Sequence, residues 1–460
     1  MKKLLTLLLV LVSALVLTAC SGFGGGTTND GKIHVSFYHT MGANLRSVLD
    51  KYIAEFNATH EDIVIDHEQI GSYDDVRDQV TTQLQAGKQP AIAYCYPDHV
   101  ASYLRSKKVI DLNTYINSTD SEIALTQAQI DDFIDGYYVE GTQYGDASKM
   151  YSLPFSKSTE VLYYNKTFFE KNEISVPTTW DELYAVCKKI KQLEPDSIPL
   201  GYDSESNWFI TMTEQLKSGY TSANAPHYVF DNAANKQFLG TFRTWYQEGL
   251  LTTQEIYGSY TSGLFTNINT ADKNGKVVRS YISIGSSAGA THQAPTATGE
   301  DENGNAIYPF EVGIAPIPQS DATNKKVISQ GPSLCLFEQK DDKVERAAWL
   351  FVKFLLTNAN FQAEFSMASG YVPVLESVLE NAQYQEFLAS ANGNKEGIAA
   401  LSAKVCMEQA DYYFTSPAFV GSSVARDTVG QLLIAVLQES DASKVDKLFA
   451  DAVLECETLQ

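Results

Sequence analysis

Residues 33–96 carry three apolar runs, IHVSFYH at 33–39, IVIDH at 63–67 and AIAYCY at 91–96. Between them stand LRSVLDKYIAEF at 45–56 and YDDVRDQVTTQLQA at 73–86. The first run alternates apolar and polar residues, which is strand patterning. In 45–56, Leu45, Val48, Leu49, Tyr52, Ile53 and Phe56 fall at helical spacing. Residues 73–86 read as a second helix, which Gly87 can end. The run at 91–96 is apolar throughout, as in a strand buried on both faces. This β-α-β-α-β order predicts a mostly parallel sheet covered by helices, an α/β fold.

The pattern repeats downstream. Val161–Tyr164 reads as a strand. The sequence Thr179-Trp180-Asp181-Glu182 is a capping box that opens a helix to about Leu193. Asn232–Glu248 is a long helix with Phe238, Leu239, Phe242, Trp245 and Tyr246 on one side. Ser280–Ile284 is a strand, and 296–306 is a polar, exposed loop. A strand at 327–336 is broken by Gly331-Pro332, helices follow at 343–356 and 359–368, and the remainder is helical. A chain of 460 residues exceeds what one hydrophobic core serves, so two lobes are expected.

The net charge of −22 leaves no basic stripe to neutralise phosphates, which argues against nucleic acid and against docking on an anionic membrane surface. Lys2, Lys3 and the apolar run Leu4–Leu17 form a secretory signal, too short to span a bilayer. The run ends in Leu17-Thr18-Ala19-Cys20, which resembles the bacterial lipobox. That resemblance implies cleavage before Cys20, a lipid on its sulfur and anchoring to the membrane. Residues 20–31 then read as the lipidated cysteine and a flexible tether. The other five cysteines show no metal spacing and are expected as buried free thiols, although export permits a disulfide. The seven histidines show no ligand spacing either, so neither a metal nor a cofactor is expected.

Several short strings now line up. They are Phe37-Tyr38-His39, Ala86-Gly87-Lys88-Gln89-Pro90-Ala91, Pro154-Phe155, Leu162-Tyr163-Tyr164-Asn165-Lys166, Pro177-Thr178-Thr179-Trp180-Asp181-Glu182-Leu183, Val312–Pro318 and Ser369–Val374. Together, behind a lipobox, they resemble the extracellular solute-binding proteins of carbohydrate-class ABC importers. The resemblance implies a two-lobed periplasmic-binding-protein-like fold of type II, with the ligand cleft between lobes joined by hinge crossovers. One lobe would combine 32–155 with 314–354, the other 156–313 with 355–460. It implies a monomer that captures a small solute and delivers it to an ABC permease, without catalysis.

Within that family the likeness runs to members that take glycerol-3-phosphate and glycerophosphodiesters. It carries over to Tyr73, Ser158, Ser286 or Ser287, Gly331, Tyr371 and Arg426 as ligand contacts. Where the family has a carboxylate just after the third strand, this chain has Pro97, with Asp98 beside it. Trp208 is the candidate for the tryptophan that the family stacks on its ligand. The chemistry of these residues agrees with a glycerophosphate. Arg426 can offer a bidentate fork near a helix start. The serines offer hydroxyls, and Tyr73 and Tyr371 offer flat faces for a carbon chain. A neutral mono- or oligosaccharide is the alternative ligand. Gly285-Ser286-Ser287-Ala288-Gly289 fits the nucleophile-elbow pattern of a serine hydrolase, a remote alternative, since the only downstream histidine, His292, stands five residues away.

Overall fold

The computed structural model describes the backbone of residues 26–27 and the whole of residues 30–266 and 278–459. Cys20 and the apolar run before it lie outside the described residues. Within the stretch read as a tether, Gly26–Thr27 pairs antiparallel with Ile33–His34.

The opening pattern folds as its periodicity predicts. Ile33–His39 runs parallel to Ile63–Gln69, with Ile33 opposite Ile63, and parallel to Ile92–Cys95, with Phe37 opposite Ile92. Ser333–Leu336 joins antiparallel and pairs in turn with Leu153–Pro154. Alternation along the central strand feeds two cores. Val35 and Phe37 enter the main core with Tyr52, Phe56 and Trp349, while Tyr38 points to the other face with Val76, Val100 and Phe337. Helix Tyr73–Ala86 is fixed at both ends. The Ser72 hydroxyl accepts from the Asp75 N–H, the Asp75 carboxylate accepts from the Ser72 N–H, and Gly87 closes it at φ 66°.

The second sheet has the order Val312–Pro316, Glu160–Asn165, Ile282–Ser286, Leu200–Tyr202, Leu251–Thr253. Its core gathers Trp180, Trp208, Phe242 and Trp245. The capping box at Thr179 and Glu182 forms as read and opens helix Trp180–Leu193. The polar loop at 296–306 is exposed and holds a small hairpin, Gly299–Glu300 against Ala306–Ile307.

The lobe boundaries shift from the expected ones. Val312–Pro316 is hydrogen-bonded to Glu160–Asn165, so the second lobe continues past 313 and the chain rejoins the first sheet only at Ser333. Helix Ala359–Met367 packs on helix Ala43–Asn57, where Glu364 accepts from Lys51 at 2.6 Å and from Tyr52 at 3.1 Å. The stretch after 354 therefore stays with the first lobe, and beyond Tyr371 it still does so: Ile134 donates to the Val374 carbonyl and Glu376 to that of Asp132. Three crossing segments lie side by side: Ser158 bridges Gln330 and Lys157 bridges Val372. No helix among the described residues is long and apolar enough to cross a membrane.

Candidate functional site

The parallel strands of the first sheet end toward the second lobe, where ligands of open α/β sheets sit. After Cys95 the chain turns into the short helix Pro97–Tyr103, with Pro97 at its first turn, where the missing N–H costs nothing. This turn meets the start of helix Ser422–Gln438 from the second lobe. Between them lies a narrow recess, part of it open to solvent. Tyr96, Pro97 and Asp98 line one side, Tyr220, Ser422 and Arg426 the other, and Ile328–Gln330 and Thr415–Pro417 the floor.

Arg426 is the cation of this recess. Its guanidinium donates to the amide oxygen of Asn207 and stands 5.7 Å over the ring of Tyr96. Among the described residues it has no carboxylate ion-pair partner. Burial works against its charge, but the Asp98 carboxylate and the Tyr96 and Tyr220 phenols outweigh that and hold its pKa above the ordinary value. Four polar atoms around it are buried without a hydrogen-bond partner: Asp98 Oδ2, Tyr220 Oη, Ser329 Oγ and Gln330 Nε2. Each such group left unpaired costs about 1–3 kcal/mol, so their convergence on one recess points to a polar ligand.

Tyrosines form the rim. Tyr73 stacks on Tyr96 with ring centres 4.4 Å apart, and its hydroxyl lies 3.1 Å from that of Tyr371. Burial pushes the phenols of Tyr73, Tyr96 and Tyr371 up, so all three remain neutral hydrogen-bonding groups at physiological pH. Tyr371 comes from the third crossing segment, so the rim continues from the first lobe onto the hinge.

Of the residues expected at the ligand, Asp98 and Arg426 line the recess, and Tyr73 and Tyr371 border it through Tyr96. Ser158 is buried in the crossing segment beside Gln330. Gly331 shapes the same crossing at φ 95°, where an added Cβ would stand 2.8 Å from the Lys157 Cα. Ser286 Oγ accepts from the Ala288 N–H, and the fully buried Ser287 Oγ accepts from the Thr159 N–H at 3.2 Å. Both hydroxyls serve the backbone of the turn, and His292 is exposed. Trp208 corrects the expectation outright. It is 0% exposed, stacked on Tyr202 at 4.4 Å and edge-on to Phe242 at 4.6 Å. Helix Glu205–Leu216 is buried on most of its circumference, so its tryptophan fills the core of the second lobe.

Tyr96, Asn207, Tyr220, Ser329 and Gln330 were not singled out from sequence. The one local signal was the strand break at Gly331-Pro332, next to Gln330. Deeper in the second lobe, Glu160 is fully buried, and burial pushes its carboxyl up to about 8 despite the Tyr202 hydroxyl donating to it at 2.8 Å. Burial likewise raises Asp203 to about 6. Among the described residues, no three His, Cys, Asp or Glu side chains gather to hold a metal ion. Cys95, Cys187, Cys335, Cys406 and Cys456 are buried free thiols.

The family model described as bacterial extracellular solute-binding protein matches residues 51–391. The sn-glycerol-3-phosphate-binding periplasmic protein UgpB of Yersinia pestis is 25% identical over 360 residues, covering 77% of this chain and 76% of its own length. Among solved structures, UgpB from Mycobacterium tuberculosis in complex with glycerophosphocholine superposes with a TM-score of 0.73 at 15% identity, over 92% of this chain and 98% of that one. Maltose-bound MalE3 of T. maritima superposes with a TM-score of 0.72 at 16% identity, over 93% and 100%. At such identities the structural likeness establishes the two-lobed fold.

Proposed function

The chain belongs to the bacterial extracellular solute-binding proteins, and from that premise we propose that it captures a small phosphorylated polyol, glycerol-3-phosphate or a glycerophosphodiester, and delivers it to an ABC permease. The observation that carries the ligand class is Arg426. A guanidinium at the lobe seam, with a neutral amide and a ring as its contacts, calls for an anion. The start of a 17-residue helix adds its dipole on the same side. Asp98 Oδ2 supplies an acceptor for ligand hydroxyls, and the Tyr73–Tyr96 stack supplies a face for carbon. UgpB relatives, named for sn-glycerol-3-phosphate, support the same reading.

The protein acts by binding and release, without covalent chemistry. Ser287 Oγ is occupied by a backbone N–H and enclosed, which supports that reading over a hydrolase. Export, anchoring through a lipid on Cys20 and a monomeric state belong to the same proposal and rest on the lipobox and the family. A neutral mono- or oligosaccharide is the second reading, favoured by the tyrosine faces and the free Asp98 oxygen.

A thermal-shift screen against glycerol-3-phosphate, glycerophosphocholine, maltose and simple monosaccharides tests the ligand. A ligand at about 100 times its dissociation constant adds about 2.7 kcal/mol of stability. A shift with the glycerophosphates that disappears in Arg426→Ala is the expected result. A shift with a sugar alone would overturn the phosphate reading and leave the sugar.

A further inference from the structure

Arg426 is followed by Asp427, which points out of the recess. Its Oδ2 lies 2.9 Å from Nη1 of Arg77, on helix Tyr73–Ala86 of the opposite lobe. One turn back, Ser423 Oγ lies 3.1 Å from Ser102 Oγ, on helix Pro97–Tyr103, also of the first lobe. The two lobes therefore touch through side chains that flank the ligand recess and do not line it. We propose that Arg77–Asp427 and Ser102–Ser423 form an interlobe latch that positions Arg426 and sets how firmly the site closes.

The arrangement of charges explains how such a latch stays reversible. Arg77 also pairs with two aspartates of its own helix, Asp74 at 3.2 Å and Asp78 at 2.9 Å. Opening the lobes does not strand its guanidinium without a partner. Closure adds one carboxylate, from the residue next to Arg426, so the gain is small and shared along the same helical turn. The Asp427 side chain is 49% exposed and that of Arg77 16%, so the pair sits at the edge of the seam, where water reaches the carboxylate and salt screens part of the attraction. A weak contact suits a protein that must release its cargo: it biases closure without trapping it. Arg77 and Asp427 are thus positioning residues for affinity, not ligand contacts.

The inference rests on the reading that ligand binds between the lobes, and its test separates the two. Arg77→Gln and Asp427→Asn are prepared in the full chain and compared with the wild type in two measurements. Small-angle X-ray scattering without ligand reads the lobe separation, and calorimetry with glycerol-3-phosphate reads affinity. The expected result is a larger radius of gyration for both unliganded variants. Affinity weakens about 2–5-fold, the span of a partly exposed ion pair, with a difference that shrinks at high salt. Asp427→Asn leaves the Arg77 pairs with Asp74 and Asp78 in place and keeps the wild-type melting point without ligand, which a merely structural role would not allow. Scattering profiles identical to wild type in both variants overturn the latch. If the wild type itself does not bind glycerol-3-phosphate, the ligand reading fails, while the scattering still decides the latch.

Discussion

The Nζ of Lys157 lies 2.5 Å from Oε1 of Glu140, with the two side chains 1% and 3% exposed. Both sit where the crossing segments meet. Ser333 Oγ donates to the same carboxylate at 3.1 Å, and Lys157 Nζ lies 3.3 Å from Ser333 Oγ. The pair therefore ties the first crossing to the strand that returns to the first sheet. Removing one partner leaves a buried charge uncompensated, so Glu140→Ala or Lys157→Ala is expected to cost about 3–5 kcal/mol. The double variant Glu140→Leu/Lys157→Met removes both charges and should cost much less. Urea denaturation of the three variants checks this. A double variant as unstable as the sum of the singles would show that packing, not charge, holds this point.

Arg426→Lys separates charge from geometry. Lysine keeps the positive charge but loses the planar fork and the stacking on Tyr96. Affinity for a glycerophosphate should fall about tenfold or more, between wild type and Arg426→Ala, since a charge-assisted hydrogen bond is worth about 1.5–3 kcal/mol. Calorimetry reads the order directly. A lysine variant equal to wild type would mean that the fork is not used.

Glu160 makes stability depend on pH. Its carboxyl titrates near 4.5 when unfolded and at about 8 in the native state, where burial penalises the charge. Between those values the native protein holds a proton that the unfolded chain has released. Stability contributed by this group is therefore complete below the unfolded value and is lost as pH rises toward 8, by about 1.4 kcal/mol per unit. Glu160→Gln keeps an acceptor for Tyr202 and abolishes the titration. Its stability relative to wild type should grow steadily between about pH 5 and about pH 8. Denaturation at a series of pH values checks it, and a constant difference would place the native carboxyl back in the ordinary range.

Trp208 supports the core. Trp208→Ala should cost about 3–5 kcal/mol of stability, while the folded variant binds ligand as wild type does. Denaturation and calorimetry on the same preparation read the two effects separately. A large loss of affinity in a stably folded variant would return the indole to the ligand.

How far the sequence carries can be seen at particular residues. The strand at 33–39, the helix at 73–86 and the capping box at Thr179 and Glu182 formed where their patterns stand, because each depends on neighbours a few residues away. Arg426 was carried over from a family motif, and Asp98 was noted beside the departure at Pro97; both line the recess. Tyr96, Tyr220 and Gln330 gave no such signal, because each contributes a single polar group from a different segment.

By itself the sequence determined the α/β class, the need for two lobes and the polar chemistry available at Arg426. Period-2 and period-3.6 patterns and helix caps are local, and they bury the same faces wherever the segments come to rest. Only the tertiary structure decided that Trp208 turns into the core, that Val312–Pro316 belongs to the second sheet, and that Asp98, Tyr220, Gln330 and Arg426 share one recess. Those residues are brought together by crossings between lobes. Which way a side chain faces there is set by packing against segments hundreds of residues away, which no local pattern encodes.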